Sequence, residues 1–160
     1  MFKFSKTLTI AAGLAAASFT GGAHAQSVKT IYVGQDMNIE RGMNALRSGD
    51  LDGAAKHLQR AARADIGNER LVPVLSNLCA VDYARGNLDA AEKACDRAIG
   101  EDKLFWRAYV NRGNIHKARG DFVAAQADYK RAVRIDDNEL VQRALASLEA
   151  HKDKLLAEAK

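Results

Sequence analysis

The sequence of 160 residues contains very little proline, cysteine or aromatic residue. It has one proline, Pro73, two cysteines, Cys79 and Cys95, and 6% Phe, Trp and Tyr together. Alternating runs of Val, Ile and Thr are also scarce, which argues against a β-sandwich or a barrel. Ala, Leu, Arg, Lys and Glu dominate and favour helix, with Pro73 as the only residue expected to break the chain. The composition therefore predicts an all-α protein.

Motifs for catalysis or metal binding are also lacking. After the N-terminal segment the histidines are His57, His116 and His151, and none has another histidine or a cysteine at metal-ligand spacing. The chain has no phosphate-binding glycine loop and no nucleophile motif. The two cysteines do not have the CxxC spacing of a redox pair. We therefore expect no enzymatic activity, no metal and no cofactor.

The first 25 residues have the three-part form of a secretory signal peptide. Lys3 and Lys6 precede a short apolar run, TLTIAAGLAAASF, and small residues follow at Ala23 and Ala25. The run is shorter than the roughly 20 residues needed to cross a bilayer. We expect cleavage after Ala25, giving a periplasmic or secreted protein without membrane insertion. An uncleaved interfacial anchor is the alternative.

The remaining chain has only a small surplus of positive charge. The formal net charge is +4, from 24 basic and 20 acidic residues, and loss of Lys3 and Lys6 lowers it to +2. This surplus is too small to argue for nucleic acid or an anionic membrane as a partner.

One pattern occurs three times. GDLDGAAKHLQRA begins at Gly49, GNLDAAEKACDRA at Gly86 and GDFVAAQADYKRA at Gly120, at intervals of 37 and 34 residues. Each copy places a small, a large and a small residue at the same positions, namely Ala54, Leu58, Ala61; Ala91, Cys95, Ala98; and Ala125, Tyr129, Ala132. We expect each initial glycine to end a helix in the left-handed conformation. The alanines mark places where helices contact closely.

The period and the residue pattern resemble the tetratricopeptide repeat, in which each unit of about 34 residues forms two antiparallel helices. The resemblance implies a right-handed superhelical stack of three helix pairs, at about 36–68, 72–103 and 106–138. Residues 139–160 are expected to form a C-terminal capping helix with an apolar face. Its alternative role is dimerisation through Leu155 and Leu156. Residues 26–35 stay unassigned.

Two glycines lie in the middle of the expected first helices. Glycine in a helix costs about 1 kcal/mol relative to alanine, so Gly42 and Gly113 are expected to allow a second helix to approach. We predict that Ala54 and Ala125 face them.

The two cysteines occupy matching positions in the middle repeat. Cys79 takes the small position of the first helix, and Cys95 takes the large position of the returning helix. These positions should face each other, and an oxidising compartment favours a disulfide between them. Two buried free thiols are the alternative.

Arrays of the family that this chain resembles bind extended segments or helices of other proteins on a concave face lined by the first helices. The family's orientation places nine side chains there: Ile39, Met43, Leu46, Asn77, Tyr83, Arg107, Asn111, Asn114 and Lys117. Arg107 and Lys117 would meet a carboxylate of an acidic partner, and the amides would bond an extended backbone. Alternatively, Ile39, Met43 and Leu46 pack against residues 28–33 and fill part of the concave face.

Some family members clamp a terminal carboxylate with lysine and asparagine of the first repeat, asparagine of the second and basic residues of the third. Asn77 and Arg107 resemble part of that set, whereas Ile39 and Met43 stand where lysine and asparagine are needed. The sequence thus predicts a noncatalytic interaction module for an envelope or secreted protein, without a full clamp. The alternative is a structural subunit that forms a homo-oligomer through its C-terminal helix.

Overall fold

The structure is a computed structural model that describes residues 36–158, except for the side chains of residues 155, 156 and 158. This range contains seven helices and no strand. They are α1 (Met37–Arg47), α2 (Leu51–Ala61), α3 (Asn68–Ala84), α4 (Leu88–Glu101), α5 (Trp106–Ala118), α6 (Phe122–Ile135) and α7 (Glu139–Glu158). None of these helices is both long and apolar enough to cross a membrane. The predicted signal peptide and residues 26–35 lie outside the described residues.

The helices form three consecutive pairs and a final single helix. α1 packs against α2, α3 against α4 and α5 against α6, and α7 packs on α6. α3 also contacts α5, and α5 contacts α7, so these helices lie side by side along the stack. The expectation of an all-α stack of helix pairs is confirmed.

α3 begins earlier than the repeat pattern predicts. It starts at Asn68, before the expected start at residue 72, and Pro73 lies inside it. Proline has no N–H for the carbonyl four residues earlier, here that of Glu69. Residues 72–82 are nevertheless all buried, and this packing holds the helix through the proline. The prediction that Pro73 breaks the chain is wrong.

The turn inside each pair has the same backbone geometry. Gly49, Gly86 and Gly120 have φ angles of 79°, 79° and 80°, in the left-handed region that suits glycine. Asp50 and Asp121 then cap the second helices of their pairs by accepting a backbone N–H. The prediction that these glycines end the first helices is confirmed.

The two helices of the first and third pairs cross at a glycine. A Cβ atom added at Gly42 would lie 2.9 Å from Leu58 Cγ, and one added at Gly113 would lie 2.6 Å from Tyr129 Cε1. Both distances are shorter than side chains tolerate, so only glycine leaves room for the large residue of the returning helix.

The predicted partners of these glycines were one turn away from the actual ones. Ala54 and Ala125 are fully buried, but the atoms nearest to a Cβ at Gly42 or Gly113 belong to the larger residue that follows each alanine by four positions. A helical side chain leans toward the N-terminus of its own helix. The larger side chain therefore fills the gap that the sequence pattern assigned to alanine.

The middle pair has a disulfide at the equivalent crossing. Cys79 and Cys95 are fully buried and bonded to each other, with their Cα atoms 5.3 Å apart. Cys79 stands at the repeat position of the two glycines, and Cys95 stands at that of Leu58 and Tyr129. The structure thus contains the disulfide rather than two free thiols.

An arginine joins the second and third pairs. The guanidinium of Arg112 donates to both carboxylate oxygens of Asp128, at 2.9 and 2.8 Å, and to Asp96 of the preceding pair at 2.7 Å. The hydrogen bond to Asp128 raises the pKa of Arg112 above its ordinary value. Asp128 is buried, and this bidentate contact supplies hydrogen-bond donors to both of its carboxylate oxygens.

We expect Gly113→Ala to lower the free energy of unfolding by about 1 kcal/mol or more, because overpacking against Tyr129 outweighs the helix propensity of alanine. Gly100→Ala is the matched control, since nothing lies within 4 Å of a Cβ added at Gly100. The control should keep or raise stability, by up to about 1 kcal/mol. Urea denaturation followed by circular dichroism measures both. Equal stability of the two variants would contradict the close approach at Gly113.

Reduction of the disulfide should lower the free energy of unfolding by about 3 kcal/mol, because the bond closes a short loop in the unfolded chain. Urea denaturation with and without a reductant measures the difference. The double variant Cys79→Ala, Cys95→Ala controls for direct effects of the reductant and should not respond to it. A protein that shows two free thiols by non-reducing mass spectrometry would contradict the pairing.

Candidate functional site

A concave trough of about 870 Å³ runs along one face of the stack. Its walls come from α3, α5 and α7, with Tyr129 of α6 between them. Six of the predicted residues line it: Asn77, Tyr83, Arg107, Asn111, Asn114 and Lys117. On α5, positions 107, 111, 114 and 117 fall on one helical face, which explains why the spacing located them.

The three predicted residues of α1 do not line this trough. Ile39 and Met43 are 2% and 5% exposed and lie in the core shared by the first two pairs, and Leu46 packs against that core. Asn77 covers Met43, with Nδ2 donating to Sδ at 3.6 Å. Apolar side chains gain more from this burial than from exposure to solvent. The segment 28–33, the alternative cover for these residues, lies outside the described residues.

The third wall of the trough was missed by the sequence analysis. Leu140, Arg143, Ala144 and Ser147 of α7 all line it. A usable signal was present: Leu140 follows Trp106 by 34 residues, the repeat period, so α7 continues the register of the first helices. Its apolar pattern predicts a cap, with dimerisation as the alternative, and gives no role in the trough.

α7 also caps the stack, as expected. Val141 and Leu148 are fully buried in the core of the third pair. Gln142, Ala146 and Glu149 are exposed to solvent. The helix therefore combines a buried apolar side, a side that lines the trough and a polar outer side. Leu155 and Leu156, the proposed dimerisation residues, have no described side chains.

Two asparagines at equivalent repeat positions tie neighbouring first helices together. Asn77 donates to Met43 of α1, as described above, and Asn111 donates to the backbone carbonyl of Ser76 on α3 at 3.1 Å. Each amide uses its nitrogen in these contacts. The amide oxygens therefore remain as hydrogen-bond acceptors beside the trough.

Asn114 differs from these two asparagines, because the contact that orients it uses its amide oxygen. The Tyr129 hydroxyl donates to Asn114 Oδ1 at 2.6 Å. Burial raises the pKa of Tyr129 above its ordinary value, which keeps the hydroxyl protonated as a donor. Because the oxygen of Asn114 is occupied, its NH₂ group is left to donate into the trough.

Two cations flank these amides on α5. The Arg107 guanidinium lies 4.3 Å from the centre of the Trp106 ring, and its buried Nε has no hydrogen-bond partner among the described residues. Lys117 Nζ donates to Ser147 Oγ of α7 at 3.2 Å. The third wall adds Arg143, which pairs with Glu139. The carboxylates of Asp136 and Glu139 also line the trough. The trough thus offers donors for an anionic group next to acceptors for N–H groups.

The described residues contain no group of three or more His, Cys, Asp or Glu side chains that could hold a metal ion. The side chains that line the trough can form hydrogen bonds, ion pairs and apolar contacts with a ligand.

Comparison with known proteins points to one family. The family profile described as tetratricopeptide repeat matches residues 106–139, which include the third helix pair. The FK506-binding protein-like protein of Mus musculus is 30% identical over 101 residues, covering 60% of this chain and 29% of that protein. The Homo sapiens protein of that name is 29% identical over 130 residues, covering 77% and 37%. The chain therefore spans only about a third of the length of these relatives.

Solved structures with the same fold are tetratricopeptide repeat domains. The first such domain of Spaghetti (RPAP3), bound to an HSP90 peptide, has a TM-score of 0.65 at 21% identity, with 71% of this chain and 91% of that one covered. The OM64 domain of Arabidopsis has a TM-score of 0.64 at 23% identity, with 70% and 91% covered. The second domain of human RPAP3, in complex with an HSP70 peptide, also has a TM-score of 0.64, at 21% identity, with 70% and 92% covered. With three helix pairs of the expected register and a family profile that matches residues 106–139, the described residues have the fold of tetratricopeptide repeat domains.

Proposed function

We propose that this chain is a noncatalytic interaction module that binds a segment of another protein in the trough between α3, α5 and α7. The observation that carries the proposal is the fixed polarity of the three asparagines. Asn77 and Asn111 present oxygen acceptors, and Asn114 presents an NH₂ donor. An extended peptide backbone alternates N–H and C=O groups and needs both kinds of partner.

The cations favour an acidic residue in the partner segment. Arg107 makes no ion pair with a carboxylate among the described residues, and its Nε is buried without a hydrogen-bond partner. A buried donor without a partner costs about 1–3 kcal/mol, which a carboxylate of the partner would recover. Lys117 lies along the same face of α5 and adds to the attraction.

The solved neighbours support a peptide ligand, since two of them are bound to HSP90 or HSP70 peptides. A full clamp for a terminal carboxylate does not fit this chain, because Ile39 and Met43 replace the polar residues of the first repeat and are buried. We therefore propose an acidic residue within an extended segment as the anchor. The predicted signal peptide is the reason for proposing a partner in the cell envelope or outside the cell.

The self-association alternative has less support. The buried side of α7 is already used within the chain, and its described outer residues are polar or small. A helix of this kind stabilises the end of a repeat stack without needing a second copy.

The test is selection of binding peptides from a random displayed library with the purified chain, followed by affinity measurement by fluorescence polarisation. We expect acidic sequences and at least tenfold weaker binding by the variant Arg107→Glu, Lys117→Glu, since charged hydrogen bonds contribute about 1.5–3 kcal/mol. The control, Lys56→Glu, Lys93→Glu, makes the same charge change on α2 and α4, outside the trough.

Both variants must first show the circular dichroism of the unchanged chain. Equal weakening by trough and control variants would indicate general electrostatic attraction, and the proposed site would be wrong. Failure to select any peptide would also contradict the proposal.

A further inference from the structure

The second helices of the pairs carry a row of exposed cations. We call the exposed side of α2, α4 and α6 the outer face. Its exposed basic residues are Lys56, Arg60, Lys93, Arg97, Lys130 and Arg134. Lys56 matches Lys93 in the repeat, and Arg60 matches Arg97, so the cations of α2 and α4 stand in register.

Most carboxylates of the same helices form ion pairs with arginines. Three arginines from α5 and from the caps of α3 and α5 pair with five of the six acids on the second helices. Arg85 binds Asp52, Arg119 binds Asp89 and Glu92, and Arg112 binds Asp96 and Asp128. Glu101, the last residue of α4, is the acid outside these pairs.

The cations of the outer face have no such partners. Within residues 36–158, none of the six forms an ion pair, and Arg97 donates only to the carbonyl of Ala62, at 3.0 Å. Five of the six acids are therefore paired with arginines, although the side chains of Asp52, Asp89 and Asp96 are themselves exposed, whereas the six cations have no carboxylate partner among the described residues. The small net charge of the chain hides this separation. The small net charge therefore does not exclude an anionic partner for this face.

The shape and chemistry of the outer face favour one kind of anion. No Phe, Tyr or Trp lies among the exposed residues of α2, α4 and α6, so an unpaired base has no ring on which to stack. The six cations are on long side chains spread over three helices rather than gathered around a pocket. Such an arrangement suits a diffuse layer of negative charge, such as the headgroups of a bilayer.

From this separation of charge we propose that the outer face docks the chain peripherally on an anionic phospholipid surface. The interaction is electrostatic and involves no insertion. The trough is lined by α3, α5 and α7, so membrane docking through α2, α4 and α6 leaves it accessible. This inference is independent of the proposed peptide site.

The test is cosedimentation of the purified chain with vesicles of mixed phosphatidylglycerol and phosphatidylcholine, and with pure phosphatidylcholine vesicles as the neutral control. We expect binding to the anionic vesicles alone, lost at high salt. The variant Lys56→Gln, Lys93→Gln, Lys130→Gln removes one exposed cation from each second helix and should weaken binding roughly a hundredfold. The matched variant Arg107→Gln, Lys117→Gln, Arg143→Gln removes three charges from the trough and should bind the vesicles like the unchanged chain.

Three results would overturn the proposal. One is the absence of binding to anionic vesicles at low salt. Another is equal loss of binding in the two triple variants, which would show that only total charge matters. The third is displacement from the vesicles by a single-stranded DNA oligonucleotide at a phosphate concentration below that of the lipid, which would make nucleic acid the better ligand of this face.

Discussion

The structure depends on one close contact that occurs in every helix pair. A small residue of the first helix meets a large residue of the second, as glycine on leucine, as a cystine bridge and as glycine on tyrosine. The contact sets the distance between the two helices of each pair. The large residue of the third contact, Tyr129, also orients Asn114 in the trough. Tyr129 therefore links the packing of the third helix pair to the orientation of a hydrogen-bonding group in the trough.

The stack divides the surface into two faces with different chemistry. The trough between α3, α5 and α7 combines fixed amides, apolar side chains, a few cations and the carboxylates of Asp136 and Glu139. The outer face of α2, α4 and α6 carries six cations without a carboxylate partner among the described residues, because most acids of these helices pair with Arg85, Arg112 and Arg119. The disulfide joins the two layers of the middle pair, since Cys79 belongs to α3 and Cys95 to α4. Because a disulfide joins these two helices, a chain that is bound through the outer face can keep its trough accessible without rearrangement.

The sequence was informative where a fixed spacing carried the information. The turn glycines, the cystine and the α5 residues of the trough all follow from the repeat register. Predictions from the sequence were wrong or incomplete for residues at the two ends of the stack, in α1 and α7. Ile39 and Met43 hold groove positions in the register, yet they are buried, because they join the core of the first two pairs. The composition of α7 is that of a capping helix, but its position in the stack also makes it a wall of the trough. Ion pairs between repeats cannot be read from net charge, since Arg112 reaches acids 16 residues away in both directions.

The most direct test of the account is two-dimensional ¹H–¹⁵N NMR of the chain, titrated with an acidic peptide obtained from the library. The side-chain amide signals of Asn77, Asn111 and Asn114 report on the trough itself. We predict the largest shifts at these groups and at backbone amides of α5 and of the first half of α7. Shifts confined to α2, α4 and α6, with the three amides unchanged, would show that the trough is not the binding site.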